Sequence, residues 1–167
     1  MKKIILLLLI CYWQNAYCQR EGFSYNFNSP YWIKEYYSKN INYLDPIEGV
    51  YDVDFTAMTH SPQAPDLHSN DKFYIVKESD NSFVVYLEGG GFHKGKNLSF
   101  TRIGDTNVYR ASWRNSSVQA YLENKIRLSF TIALNSSDSK IFADNPYFGW
   151  TVYLKYSMIK EYPSSMY

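Results

Sequence analysis

The chain has 167 residues, a length that predicts one domain, and its 17 basic and 16 acidic residues give a formal net charge of only +1. This balance excludes the strongly basic composition with which proteins attract nucleic acids or anionic membranes. Aromatic residues make up 19% of the chain, with 17 tyrosines, and such a composition is typical of β-strands.

Residues 1–18 have the layout of a secretory signal peptide. Two lysines precede an apolar run over residues 4–13, which is too short to span a hydrocarbon core of about 30 Å. Ala16 and Cys18 provide the small residues expected before a cleavage site. We therefore predict export to the periplasm or the cell exterior, with no transmembrane segment in the mature chain. The alternative is a lipoprotein anchored through Cys18, which the bulky Tyr17 disfavours.

Residues 19–47 are predicted to form an N-terminal extension that contains one short helix. Ser29 is a favourable N-cap and Pro30 a favourable first helical residue, and apolar residues recur behind them at helical spacing. Asn40 is a suitable C-cap. We predict an amphipathic helix over residues 30–39 that packs on the rest of the domain.

From Glu48 onward, apolar residues recur at every second position, as in a strand with one buried face. Tyr51, Val53 and Phe55 alternate with aspartates, and seven further segments with strand character follow. These segments span residues 72–78, 82–88, 98–103, 107–114, 118–123, 125–135 and 149–160. Short connections favour antiparallel neighbours, and closure of eight strands removes both bare edges. We predict an all-β fold over 48–163, an antiparallel eight-stranded up-and-down barrel; a two-sheet sandwich is the alternative.

The segment "LDPIEGVYDVDF" leads into the first strand, where Pro46 fixes one backbone angle and Gly49 permits a close backbone approach. Its "EGVY" resembles, with Tyr51 for tryptophan, the Gly-x-Trp segment of lipocalin-like (calycin) barrels. Together with the end "GWTVYLKYSMIKEYP", it is similar to bacterial exported lipocalin-like domains, found alone or appended to trypsin-like protease domains. The resemblance implies that Lys160, or else Lys155, covers Tyr51 and with Gly49 closes the barrel base. It implies a fold and a location rather than an activity.

No segment carries a recognisable catalytic motif. The connection 56–71 contains four residues that can bind a metal ion, His60, Asp66, His68 and Asp71. Their spacing matches no compact metal-binding motif. We predict a solvated loop there. The glycine-rich "GGGFHKG" lacks the residues that complete a phosphate-binding loop, and it is predicted to be a turn between strands. We expect no enzyme activity, metal or cofactor.

Binding is the remaining class of function. The residues predicted to line a barrel interior that holds a small apolar ligand are Tyr51, Phe55, Trp113, Phe130 and Leu154. Their bulk favours a largely filled interior, in which case the protein would act through a partner protein. The connections 56–71 and 136–148 are predicted at a rim, together with Met58, Trp150 and Tyr153. The alternative is a carbohydrate-binding sandwich whose exposed tyrosines stack on sugars.

Overall fold

The computed structural model describes residues 27–59, 66–104, 106–134 and 151–163. The predicted signal peptide, Cys18, His60, Trp150 and the connection 136–148 lie outside this part of the chain. Helix α1 spans Pro30–Lys39 and is followed by a short 3₁₀ helix at Ile41–Tyr43. The strands are β1 Gly49–Thr59, β2 Leu67–Lys77, β3 Ser82–Leu87, β4 His93–Arg102, β5 Val108–Trp113, β6 Ser116–Glu123, β7 Arg127–Leu134 and β8 Val152–Tyr162.

The eight strands form one closed antiparallel barrel in which each strand pairs with its neighbours in sequence. Closure comes from pairing of the first strand with the last, from Val50 opposite Tyr162 to Thr59 opposite Val152. The predicted all-β, up-and-down barrel preceded by one helix is therefore confirmed. The sandwich alternative is wrong because β1 and β8 satisfy each other's backbone groups and leave no open edge.

Helix α1 occupies the residues that its capping signals predicted. Pro30 stands at its first position, although the Ser29 side chain forms no capping hydrogen bond. At the other end, Asn40 donates to the Tyr36 carbonyl from its backbone N–H at 3.1 Å and from its side-chain amide at 2.9 Å. Within the described ranges, no helix combines the length and the apolar character needed to cross a membrane.

The buried face of α1 packs on the outside of β1, β2 and β3. This outer cluster comprises Phe27, Ile33, Tyr36, Tyr37, Val50, Tyr74, Val76 and Tyr86. The Tyr37 hydroxyl, fully buried, donates to the carbonyls of Gly49 at 3.0 Å and Ile75 at 2.7 Å. Next to the helix, these strands are consequently buried on both faces, and the helix is fixed to the barrel by polar as well as apolar contacts.

The barrel interior forms a second, larger cluster that is dominated by aromatic rings. Tyr156 stacks on Phe130 at a centroid distance of 4.8 Å and contacts Phe55 at 5.0 Å. Phe130 in turn meets Phe100 edge to face at 5.6 Å. These rings fill the side of the barrel formed by β7 and β8, so that the remaining interior space lies nearer β2 to β4.

Two strands begin five residues earlier than the sequence pattern indicated. β2 begins at Leu67 rather than at residue 72, and β4 begins at His93 rather than at residue 98. The prediction of a loop over 56–71 and of a turn throughout "GGGFHKG" is therefore wrong in part. The polar residues at the start of these two strands still pair with the preceding strand. His68 lies opposite Thr56, and His93 lies opposite Leu87.

Candidate functional site

The meander gives the barrel two different ends. The odd-numbered strands begin, and the even-numbered strands end, at one end, which we call the base. The residues before β1 also reach the base, and they cross it. The opposite end, where β1 finishes and β2 begins, is called the mouth.

The structure brings the three predicted closure residues together at the base. A Cβ added at Gly49 would collide with the Tyr162 carbonyl oxygen, so only glycine fits there. The Lys160 ammonium lies 5.5 Å from the centroid of the Tyr51 ring and donates to the Pro46 carbonyl. The chain before β1 is thereby held across the end of the barrel.

The electrostatic environment of Lys160 follows from this position. Burial lowers the pKa of its ammonium to about 8, against the attraction of Glu48 and Asp45, and Lys125 lowers it further. The amine therefore remains mostly charged at neutral pH. Lys155, the second candidate for this role, is exposed on β8 and lies opposite Thr56.

A buried polar network completes the base. The Asp45 carboxylate accepts from Arg102 at 2.5 Å and from the Tyr109 hydroxyl at 2.9 Å. Glu48, fully buried, accepts from the Tyr36 hydroxyl at 2.8 Å and from the Asp45 backbone N–H at 2.8 Å. The sequence reasoning missed this network, because only the Asp-Pro turn signalled it and its partners lie far away in the chain.

A cavity of about 470 Å³ opens in the mouth half of the barrel. Its walls carry apolar side chains from six strands together with a group of polar residues from β2 and β4. The apolar lining residues are Phe55, Phe73, Val85, Leu87, Leu98, Trp113 and Tyr156. The polar lining residues are Ser69, Asp71, His93, Lys96 and Asn97. The space therefore has one polar side and otherwise apolar walls.

The five predicted lining residues divide between this cavity and the packed core. Phe55 and Trp113 line the cavity, whereas Tyr51, Phe130 and Leu154 belong to the buried core. Tyr51 is part of the base described above. Phe130 stacks on Tyr156, and Tyr156 lines the cavity.

Met58 and Tyr153 were predicted at the rim. They pair across β1 and β8 near the mouth and are half-buried.

Two polar groups of the cavity wall hold the turn between β3 and β4. Asp71 accepts from the backbone N–H of Gly89 at 2.8 Å and from that of Lys72 at 2.7 Å. The His93 Nδ1 atom lies 2.6 Å from the Gly91 carbonyl oxygen. The mouth turn is therefore anchored by the same residues that make one side of the cavity polar.

The indole of Trp113 provides a polar atom without a partner. Its Nε1 is buried, and no acceptor for its N–H is found among the described residues. Trp113 lines the cavity with other atoms of its ring, and this nitrogen is not open to the space.

Two residues from the connection 56–71 that can bind metal ions, His68 and Asp71, lie in β2. His68 and Asp71 are three residues apart on β2, so their side chains lie on opposite faces of the sheet. His68 contacts the Thr56 hydroxyl at 3.0 Å through Nδ1. Among the residues that the structure describes, no three His, Cys, Asp or Glu side chains converge on a common point.

Comparison with known proteins adds no family to these observations. No protein-family model matches the chain, and no curated protein matches it. The resemblance to exported lipocalin-like domains therefore stays a prediction.

Proposed function

We propose that this protein is an exported, non-catalytic, lipocalin-like carrier that binds a small and mainly apolar ligand in the cavity at the mouth. The observation that carries the proposal is the cavity itself, about 470 Å³ inside an otherwise packed barrel. Ligand sites typically measure about 300–1,000 Å³ and are mostly apolar. Export is proposed from the leader-like residues 1–18.

The walls favour an apolar ligand body. Aromatic rings of Phe55, Phe73, Trp113 and Tyr156 face the space from four strands. Each 100 Å² of apolar ligand surface removed from water there would contribute about 2.5 kcal/mol. Because the rings are already held by the barrel, little ordering would be needed on binding.

The polar side of the cavity favours a ligand with an oxygen acceptor. A ligand carbonyl, hydroxyl or ether oxygen would accept hydrogen bonds from the polar side chains on that side. Lys96 and Asn97, on the strand that pairs with that of Trp113, supply these donors. The best-fitting ligand is therefore an apolar molecule with at least one oxygen function.

The same lining supports a binding role over catalysis. Two titratable side chains of the lining, Asp71 and His93, form hydrogen bonds with backbone atoms of the turn between β3 and β4. A general acid or base must instead reach a reacting atom of the substrate.

The first test is native mass spectrometry of the protein purified from the exported fraction of its host, followed by unfolding and extraction. A small molecule that leaves on unfolding would establish the carrier and identify its cargo. The second test is uptake of the neutral fluorescent probe N-phenyl-1-naphthylamine. Leu87→Trp, which narrows the cavity, should weaken uptake about tenfold, whereas Leu67→Trp at an exposed position should leave it unchanged. Equal uptake by both variants would contradict the proposed site.

A second candidate is a role through a partner protein. It is favoured by Tyr31 and Trp32 on α1, which are 67% and 52% exposed and lie ring to ring at 5.3 Å. Exposed adjacent aromatics are enriched at interfaces. A protein that is isolated without cargo and takes up no probe would favour this role.

A further inference from the structure

The polar residues of the mouth cavity lie together on its β2–β4 side. Ser69 and Asp71 belong to β2, and His93, Lys96 and Asn97 belong to β4. His93 and Lys96 are exposed, whereas Asp71 and Asn97 are half-buried, so the group lies between the apolar walls and the solvent. The head group of an apolar ligand would lie here, and these side chains determine which head group fits.

Two of these side chains offer hydrogen-bond acceptors. Asp71 uses only its Oδ1 for the N–H groups of Gly89 and Lys72, and its Oδ2 has no hydrogen bond with any described residue. The His93 Nδ1 lies 2.6 Å from the Gly91 carbonyl oxygen, which can only accept, so Nδ1 carries the proton. In the neutral ring, Nε2 then presents a lone pair.

The other side chains of this group offer donors. The Arg114 Nε donates to the Asn97 Oδ1 at 3.4 Å, which orients the amide and leaves its NH₂ group to donate. Lys96 carries only donors, and the Ser69 hydroxyl can donate or accept. The region that would receive the head group therefore contains both donors and acceptors.

The charges of this region disfavour an ionised head group. A carboxylate would be attracted by Lys96 and repelled by Asp71. The attraction would be the weaker effect, because Lys96 is exposed and screened by solvent whereas Asp71 is half-buried. An ammonium group would be attracted by Asp71, but it could accept nothing from Lys96 or Asn97. Either ion would also exchange water for a cavity whose walls are mostly apolar.

We propose that the ligand of the mouth cavity is an alcohol, an apolar molecule whose uncharged hydroxyl head donates to Asp71 or His93 and accepts from Asn97 or Lys96. A single hydroxyl group can do both. This inference rests on the proposed carrier function and adds the chemical class of the ligand. It distinguishes an alcohol from a fatty acid and from a long-chain amine.

The test is displacement of bound N-phenyl-1-naphthylamine from the full protein by 1-decanol, decanoate and decylammonium. The three competitors have the same chain length and are compared at neutral pH, constant ionic strength and concentrations at which they do not aggregate. 1-Decanol should bind at least about tenfold more tightly than either ion, because only the ions lose hydration of a charge. Uptake of the fluorescent probe is measured first.

Asp71→Asn tests the role of the carboxylate. The asparagine oxygen can still accept from the N–H groups of the turn, but the charge is removed, so the preference for 1-decanol over decanoate should fall about fivefold. Asp80→Asn is the matched control, since Asp80 is exposed in the turn between β2 and β3 at the base. It should leave the preference unchanged. A ratio of two affinities is compared, so a general change in uptake cancels.

The outcomes separate this proposal from the carrier function. Decanoate or decylammonium that binds as tightly as 1-decanol, while the fluorescent probe is still taken up, would overturn the alcohol and leave the carrier. Tight decanoate binding that is lost in Lys96→Met would assign the head group to Lys96 instead. Equal changes in the two asparagine variants would also overturn the proposal, because they would report net charge alone. Absence of probe uptake by the unmodified protein would overturn the carrier function and the alcohol with it.

Discussion

The buried amine of Lys160 predicts that the protein becomes more stable as pH rises from 7 to 9.5. Burial at the base lowers the pKa of Lys160 to about 8 in the folded state, whereas an unfolded lysine titrates near 10.5. Between these values the unfolded chain binds more protons than the folded chain. Stability therefore increases with pH in this window and is lost as pH falls through 8.

The size of the effect follows from the two pKa values. Linkage between a folded pKa of about 8 and an unfolded pKa of about 10.5 gives a gain of about 2 kcal/mol between pH 7 and 9.5. Above pH 10 the trend should reverse, because burial raises the pKa of Tyr37 and Tyr51 and only unfolded tyrosines would then ionise. Unfolded tyrosines begin to ionise below pH 10, so the lysine is isolated by comparison with a variant that lacks its amine.

The assay is urea unfolding at several pH values and constant ionic strength, for the unmodified protein and for Lys160→Met. The methionine variant keeps the apolar stem but has no titrating amine. Its free energy of unfolding should lose the 2 kcal/mol rise that the unmodified protein shows. Parallel curves for the two proteins would refute the burial of this ammonium at the base, since the rise would then originate elsewhere.

Two further substitutions test how the base and the helix are held. Gly49→Ala should lower the free energy of unfolding by at least about 2 kcal/mol, because its methyl group would meet the Tyr162 carbonyl. Gly104→Ala, with φ +64° and no atoms near the new methyl, should cost only about 1 kcal/mol in the same urea assay. Tyr37→Phe should cost about 1–3 kcal/mol because two strand carbonyls lose their shared donor. Tyr43→Phe, at a 66% exposed position, should change stability by less than about 0.5 kcal/mol in thermal melts.

The architecture could be predicted because the interior positions follow strand periodicity closely. β7 alternates without interruption, with Leu128, Phe130, Ile132 and Leu134 buried and the residues between them exposed. The helix was predictable for a different reason, since Pro30 and the residues that end α1 act locally. Such signals depend on a few neighbouring residues, so they can be recognised without knowledge of the tertiary structure.

The early starts of β2 and β4 could not be predicted from the same signals. The first residues of β2, over 67–70, are all exposed, so their polar character resembles that of a loop. Their strand conformation comes from backbone pairing with β1, which side-chain pattern does not report. The base network was hidden similarly, because Asp45 and Tyr109 are 64 residues apart in the chain.

The position of the cavity follows from side-chain size and from an irregularity in β4. Gly95 lines the cavity where the β3–β4 register shifts, and a Cβ there would lie 3.0 Å from the Val85 carbonyl oxygen. Ser69, on β2, is also small. Across the barrel, Phe55 and Tyr156 are large and packed against each other, so the interior is filled on one side and open on the other. Because the base is closed by a polar network that does not use this space, the mouth half can retain a cavity while the opposite end holds the barrel together.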